Sequence, residues 1–464
     1  MTIINTPRDL PQLDEFIELD ELREMQLRYG RAPLVEACRV CIDDLRQRLL
    51  KGSAPETLDS LVSAVTDQLK KTQSPKLRRV LNATGTILHT NLGRAPLAKA
   101  AVDAVCEIAS SYSNLEYNLE LGKRGYRTSN IEERMQEIFG VEAAVVVNNN
   151  AAAVMLTLAA LARGKEVIVS RGELVEIGGS FRIPEIMSES GARLVEVGTT
   201  NKTHLHDYRK AITEESGALL KVHRSNFLIE GFTSEVSIGD LRPVAEESGL
   251  PLIYDLGSGS FSDSLTGVLP EEPTIKQALA AGADLILFSG DKLFGGPQAG
   301  FILGRADLIA KIKYHPLLRP LRIDKMTLAA LEATLLLYSD PDRARKNIPL
   351  LQMTLIDFAE LKERSSRLLE SLQAHGINAV LEESDAVLGG GSSPGVKLNS
   401  CNIVVTPASG QSAQALDVRL HQANPPVISR IVRDRLHFDL RTIKAEEDSE
   451  LSTILISILK KDQI

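Results

Sequence analysis

Residues 287–300 read LFSGDKLFGGPQAG, a lysine beside an aspartate in a glycine-rich turn. The run ADLI precedes the stretch and FILG follows it, and both read as buried strands. Lysine is almost never fully buried without a partner or a purpose. A lysine in an ordinary surface turn is simply solvated. One held between buried strands is partly desolvated, so its pKa falls and its amine can attack a carbonyl. What surrounds Lys292 decides between the two.

Outward from this stretch, short β-rich runs alternate with helical stretches from about residue 140 onward. The runs are AAVVVN, EVIVS, RLVEV, ALLKV, PLIYDL, DLILFS and AGFIL. Near-continuous apolar strands separated by amphipathic helices predict an α/β domain with a mostly parallel seven-stranded sheet, buried on both faces. Such sheets bind ligands at the carboxyl ends of their strands.

The flanks differ. Residues 1–75 carry apolar residues at three- and four-residue spacing, as in LDEFIELDELREMQLRY and PLVEACRVCIDDLRQRLL, and predict helices. TQSPKLRR follows as a linker. Beyond 325, MTLAALEATLLLY and LLQMTLIDFAELKERSSRLLESLQAHG predict helices, GGGSSPG a loop, and NIVVTP and RLHFDLRTI strands. The expected organisation is a helical domain at 1–75, an α/β domain at 76–325 and a smaller α+β domain at 326–464.

Composition narrows the function. The chain has 464 residues, 43 % hydrophobic and 25 % charged, as a soluble globular protein does. Its net charge of −8 argues against a general nucleic-acid binder, because phosphate binding needs Lys and Arg, although a local basic site is compatible with it. The N-terminus has no basic region followed by an apolar run, so no signal peptide is expected. No segment has the length and apolarity of a membrane span. The four cysteines fit a reducing compartment. Cys38 and Cys41 form a CxxC, but on a helical pattern and without a second pair at zinc spacing, so no metal site is expected.

Unusual residues collect at the predicted strand ends. VVVNNNAAAV is a strand, three asparagines and a helix start, and a helix N-terminus suits a phosphate. N-capping would need only one of Asn148, Asn149 and Asn150. Asn149, Asn150 and Ala151 are the candidate phosphate contacts. Asp255 ends the apolar strand LIYDL, where a carboxylate wants a cationic or N–H partner and a protonated pyridine nitrogen would serve. The glycines after it lack the third glycine of GxGxxG, so a dinucleotide site is not supported. His223, Ser225 and Asn226 lie just past another strand, where they could contact a planar cofactor. Ser289 and Lys292 end the next. A helix-borne phosphate site, then a strand-end Asp, then a strand-end Lys is the order of parts for pyridoxal 5'-phosphate on a fold-type I scaffold. Lys292 would carry the cofactor and Asp255 would hold its ring nitrogen protonated.

Further stretches make the sequence resemble the bacterial selenocysteine synthase family, the L-seryl-tRNA(Sec) selenium transferases. They include LNATGTILHTNLGRAPLA, YSNLEYNLELGKRGYR, VIVSRGELVEIGGSFRIPEIM, GARLVEVGTTNKTH, LKVHRSNF, FSGDKLFGGPQAG and LRPLRIDKMTLAALEATL, over roughly 80–340. GGGSSPG, PPVISRI and FDLRTI extend the match. The resemblance implies a pyridoxal phosphate enzyme that converts seryl-tRNA(Sec) to selenocysteinyl-tRNA(Sec) with selenophosphate. It implies Lys292 as the cofactor lysine, with Asp291 in the same motif. Arg94 in TNLGRAP and Arg319 and Arg322 in LRPLR are implied as selenophosphate ligands, a role that suits arginine. An N-terminal tRNA-binding domain, a homodecamer and a cytoplasmic location are implied too. The segment GKRGYRTSNIEERM has Thr-Ser-Asn where the family commonly has a histidine. Arg124 and Arg127 there are candidates for contacts with a neighbouring subunit. The cations of KKTQSPKLRR are the nearest candidates for an RNA-facing patch.

Two other readings stay open on the cofactor parts alone. One is a pyridoxal phosphate lyase for a free amino acid, which would need neither the N-terminal helices nor LRPLR. The other is a tRNA-binding or assembly protein without catalysis, against which Asp255 and Lys292 argue.

Overall fold

The computed structural model describes residues 2–177 and 181–460. The chain divides into two units, one running to Arg79 and one from Val80. The first is built on the helices Asp20–Tyr29, Arg31–Leu50 and Leu58–Gln73. Their apolar faces meet around Leu22, Leu34, Leu45, Leu61, Val65 and Leu69. Cys38 is buried in this core as a free thiol, which burial pushes up to about 12. The CxxC is therefore part of a packed helix face. Residues 71–79, which hold most of the basic run, are all exposed.

In the second unit all seven expected strands form one sheet. In chain order they are β1 (Ala143–Val147), β2 (Glu166–Ser170), β3 (Arg193–Val197), β4 (Ser216–Val222), β5 (Leu252–Gly257), β6 (Leu285–Ser289) and β7 (Gly300–Gly304). The sheet order is β3-β2-β4-β5-β6-β7-β1. Every pairing is parallel except those of β7, which runs antiparallel to both β6 and β1. The tight turn at 290–299 is what reverses it. β1, β5, β6 and β7 are buried throughout, as continuous apolar runs require. Register pairs Val222 with Asp255 and Asp255 with Leu287, so the three central strands end side by side.

The C-terminal part forms a four-stranded antiparallel sheet: β8 (Ala379–Val387), β9 (Lys397–Val405), β10 (Arg430–Val432) and β11 (Arg435–Asp439), in the order β8-β9-β11-β10. The helices Phe358–Ala374 and Asp448–Leu459 pack on it. Leu81 and Ala83 are buried in this same core, and Leu81–Asn82 pairs with Val427–Ile428. The segment just after the linker thus belongs to the C-terminal layer before the chain reaches the large sheet. Among the described residues no helix is long and apolar enough to cross a membrane.

Candidate active site

The turn carrying Lys292 is fixed on both sides of the lysine. Leu293 and Phe294 are fully buried. The Leu293 N–H donates to Ser258 O at 2.9 Å, Gly295 N to Lys292 O at 2.9 Å, and Gly290 N to Ala299 O at 2.9 Å. Tyr338 Oη donates to Phe294 O at 2.7 Å. Phe288 stacks on Phe301 with centroids 4.4 Å apart, and Phe294 meets Phe301 edge-on at 5.3 Å. Such aromatic packing locks the backbone on either side of the lysine.

Lys292 is only 4 % exposed, and its Nζ has one hydrogen bond, to Gly391 O at 3.3 Å. Burial, helped by the charge of Arg94, holds its pKa below the usual lysine range. Arg94 arrives from the loop after the C-terminal layer, with its backbone at φ 61°. Its Nη1 lies 2.7 Å from Asp291 Oδ2, and Ala95 N donates to Asp291 O at 3.3 Å. Asp291 is therefore the counter-ion that brings a guanidinium beside the lysine. Its other oxygen, Oδ1, is buried without a partner.

Asp255 lies two residues before the end of β5, fully desolvated. Burial pushes its carboxyl above the usual range, against the pull of the Asn150 amide, Lys292 and His223. Asn150 Nδ2 donates to its Oδ1 at 2.8 Å. The Asn149 side chain caps the helix Asn150–Leu161 by accepting from Ala152 N at 2.9 Å. Two of the three asparagine side chains are thus committed within the protein. The first-turn backbone N–H groups of Asn150 and Ala151 point out of the helix start, where a phosphate would sit. Gly300 explains how close this helix comes to β7: a Cβ there would lie 2.0 Å from Asn149 O.

His223 N donates to Asp255 O at 2.9 Å, which ties the ends of β4 and β5 together. Its Nε2 lies 3.3 Å from Glu272 Oε1. Burial opposes ionisation of Glu272, but its contacts, with His223 foremost, outweigh that and hold the carboxyl below the usual range. Ser393 Oγ donates to Glu272 Oε2 at 2.6 Å. The glycine loop at 389–395 is the run GGGSSPG of the sequence, but Glu272 carries no sequence signal. No local pattern marks an acid that reaches a histidine across the fold. Ser289 ends β6 and is buried.

The residues present fit pyridoxal phosphate. A buried amine lacks a counter-ion of its own, a buried strand-end carboxylate awaits a cation, and a helix start supplies N–H donors beside Asn150, whose Oδ1 is buried without a partner.

Arg319 and Arg322 line a different cavity, of about 640 Å³. There Arg127 Nη2, Arg322 Nη1 and Arg124 Nη2 lie 3.0, 3.2 and 3.3 Å from the Glu116 carboxylate. Hydrogen bonding from Arg127 keeps Glu116 below the usual carboxylate range. Arg127 Nη1 also donates to Ile323 O at 2.7 Å. Arg124 and Arg127 thus have partners within their own chain. Lys292, Asp255, His223 and Arg94 are not among the residues lining this cavity. The end of β1 links the two regions, where Asn148 N donates to Leu321 O at 3.0 Å.

Comparison with known proteins adds the chemistry. Residues 80–444 match the family model described as L-seryl-tRNA selenium transferase, and residues 7–46 match selenocysteine synthase N terminal. The chain is 47 % identical to the L-seryl-tRNA(Sec) selenium transferase of Carboxydothermus hydrogenoformans, over 95 % of each chain. It is 48 % identical to that of Clostridium perfringens, over 96 % of each. Among solved structures, it is similar in fold to D-glucosaminate-6-phosphate ammonia-lyase, with a TM-score of 0.59 at 22 % identity over 84 % of this chain and 98 % of the other.

Proposed function

This chain belongs to the L-seryl-tRNA selenium transferase family, and on that premise we propose how its residues divide the reaction. It is a fold-type I, pyridoxal phosphate-dependent transferase that converts seryl-tRNA(Sec) to selenocysteinyl-tRNA(Sec). Lys292 holds the cofactor, Asp255 faces its ring nitrogen, His223 lies against the ring, and Ser289 with the helix start at Asn149, Asn150 and Ala151 receives its phosphate. Bound there, pyridoxal phosphate supplies a carbonyl for amines and a sink for electrons.

This chain's side chains do the rest. The Lys292 amine yields to the seryl amine and then, its pKa lowered by burial and by Arg94, takes the proton from the seryl Cα. Asp255 holds a proton-bearing ring nitrogen by its charge. The seryl hydroxyl leaves Cβ as water, taking up a proton. Selenium then adds at Cβ and Cα regains a proton, and water splits the P–Se bond so that phosphate departs. Selenophosphate is the donor in this reading, and Arg94, Arg319 and Arg322 are its ligands, since guanidinium forks match a tetrahedral oxyanion. Arg94 pairs with Asp291, while Arg319 and Arg322 line a cavity whose lining includes none of Arg94, Lys292, Asp255 and His223. The proposal therefore includes a homo-oligomer, a decamer by family resemblance, in which one copy's Arg319 and Arg322 serve another's Lys292. The N-terminal helices with the exposed run at 71–79 are the proposed tRNA-binding part, and the cytoplasm the proposed location.

The observation that carries this reading is the buried Lys292 beside Asp291–Arg94 at the end of the central strands. Borohydride reduction followed by peptide mass mapping should place a phosphopyridoxyl adduct on Lys292. Lys292→Ala should lose both the adduct and all selenocysteinyl-tRNA formation. Retained turnover in that variant would overturn the assignment.

A further inference from the structure

Beside Lys292 lies a cavity of about 340 Å³ to which the reaction has so far given no task. The glycine loop at 389–395 forms one wall and Ser225 and Asn226 the other. Gly391, one of its lining residues, accepts the Lys292 Nζ hydrogen bond at 3.3 Å, so the loop that walls the cavity also touches the reacting amine. Three of its polar atoms are unpaired: Ser392 Oγ and Ser225 Oγ are buried without a hydrogen-bond partner, in residues 3 % and 1 % exposed, and Asn226 Oδ1 is buried and unpaired too. Buried polar atoms are nearly always satisfied, so three around one cavity point to a missing polar ligand.

The charge of that ligand follows from what the cavity lacks. Among the described residues the only cation lining it is Lys397, which is 70 % exposed and ion-paired with Asp385 at 2.9 Å. A free carboxylate buried here would go unpaired, at a cost of several kcal/mol. An ester carries no charge. Its carbonyl accepts from a hydroxyl, and a neighbouring ribose hydroxyl donates to a carboxamide oxygen.

The cradle is held in place before any ligand comes. Gly389, Gly390 and Gly391 all have positive φ, at 71°, 61° and 73°. A Cβ on Gly390 would lie 2.3 Å from Leu88 O, so the loop sits hard against the segment leading to Arg94. Ser393 is tied to Glu272 on the far side. Ser392 is fixed between these anchors.

We infer that the pocket between the loop at 389–395 and Ser225–Asn226 is the subsite for the aminoacyl ester and its adjoining ribose hydroxyl, with the Ser392 hydroxyl donating to the ester carbonyl. It excludes free serine because it pairs no carboxylate. This rests on the seryl-tRNA reading above and names how that substrate is told from the free amino acid.

The test uses the holoenzyme and calorimetric titration with L-serine methyl ester and with L-serine. Wild type should bind the ester about tenfold or more tightly than serine, the margin of one unpaired buried charge. Ser392→Ala should weaken the ester about three- to tenfold, one hydrogen bond's worth, and leave serine unchanged. Its melting temperature should hold or rise, because the lost hydroxyl is unsatisfied in the free protein. Ser392→Lys should narrow or reverse the preference. Equal affinity of wild type for both ligands, or unchanged ester binding in Ser392→Ala, would overturn the inference. The Lys292 adduct separates the two failures: with the adduct present only the subsite is wrong, and without it the cofactor reading fails.

Discussion

Lys292 shows what a single residue must give up to serve here. Its burial costs stability in the cofactor-free protein, because the folded state disfavours a proton that the unfolded chain holds up to the ordinary lysine pKa. Between the lowered folded pKa and the unfolded one, the unfolded chain binds more protons, so stability rises with pH across that window and is lost as pH falls through the folded value. Lys292→Met removes the penalty. Cofactor-free Lys292→Met should therefore melt higher than wild type at neutral pH, with the gap closing toward alkaline pH. A gap independent of pH would show that the lysine's charge is not its cause. Lys292 and Asp255 could be found in the sequence because each is a charge at the end of an apolar run. Glu272 could not, because its partners His223 and Ser393 lie 49 and 121 positions away and nothing local marks it.

At the scale of elements, the large sheet was readable because buried parallel strands leave unbroken Val, Ile and Leu runs, and all seven formed. Ala379–Val387 was not read. Its sequence AVLEESDAV places acids along an edge strand, where exposure on one side removes the apolar signature. The reversal of β7 was hidden for another reason: strand direction follows from the turn that carries Lys292, not from composition. The helix start at Asn149 is held against β7 by the missing side chain of Gly300. Gly300→Ala should cost about 1–3 kcal/mol by forcing the two apart. It should also weaken pyridoxal phosphate binding, because the N–H donors of Asn150 and Ala151 move with the helix. Thermal denaturation and cofactor titration measure both, and unchanged cofactor affinity in a destabilised variant would uncouple the helix start from the phosphate.

For the whole molecule, the sequence named the arginines but not their separation. Arg94 pairs with Asp291, whereas Arg319 and Arg322 share with Glu116 a cavity that Arg94 does not line, and only coordinates reveal this. Sites shared between copies follow from this. Lys292→Ala and Arg322→Ala should each be inactive alone. Mixed under conditions that let subunits exchange, they should regain part of the wild-type turnover, because some contacts then join an intact Lys292 to an intact Arg322. Mixtures as inactive as their components would place all three arginines in the service of their own chain.

In the proposed reading the N-terminal unit and the ester cradle both serve a substrate carried on tRNA. The most direct measurement is the visible absorption of the holoenzyme during titration with seryl-tRNA(Sec), with free L-serine as the control. The account predicts a change in the cofactor's spectrum with the charged tRNA and none with serine at matched concentration. An equal change with serine, or none with the charged tRNA, would contradict it.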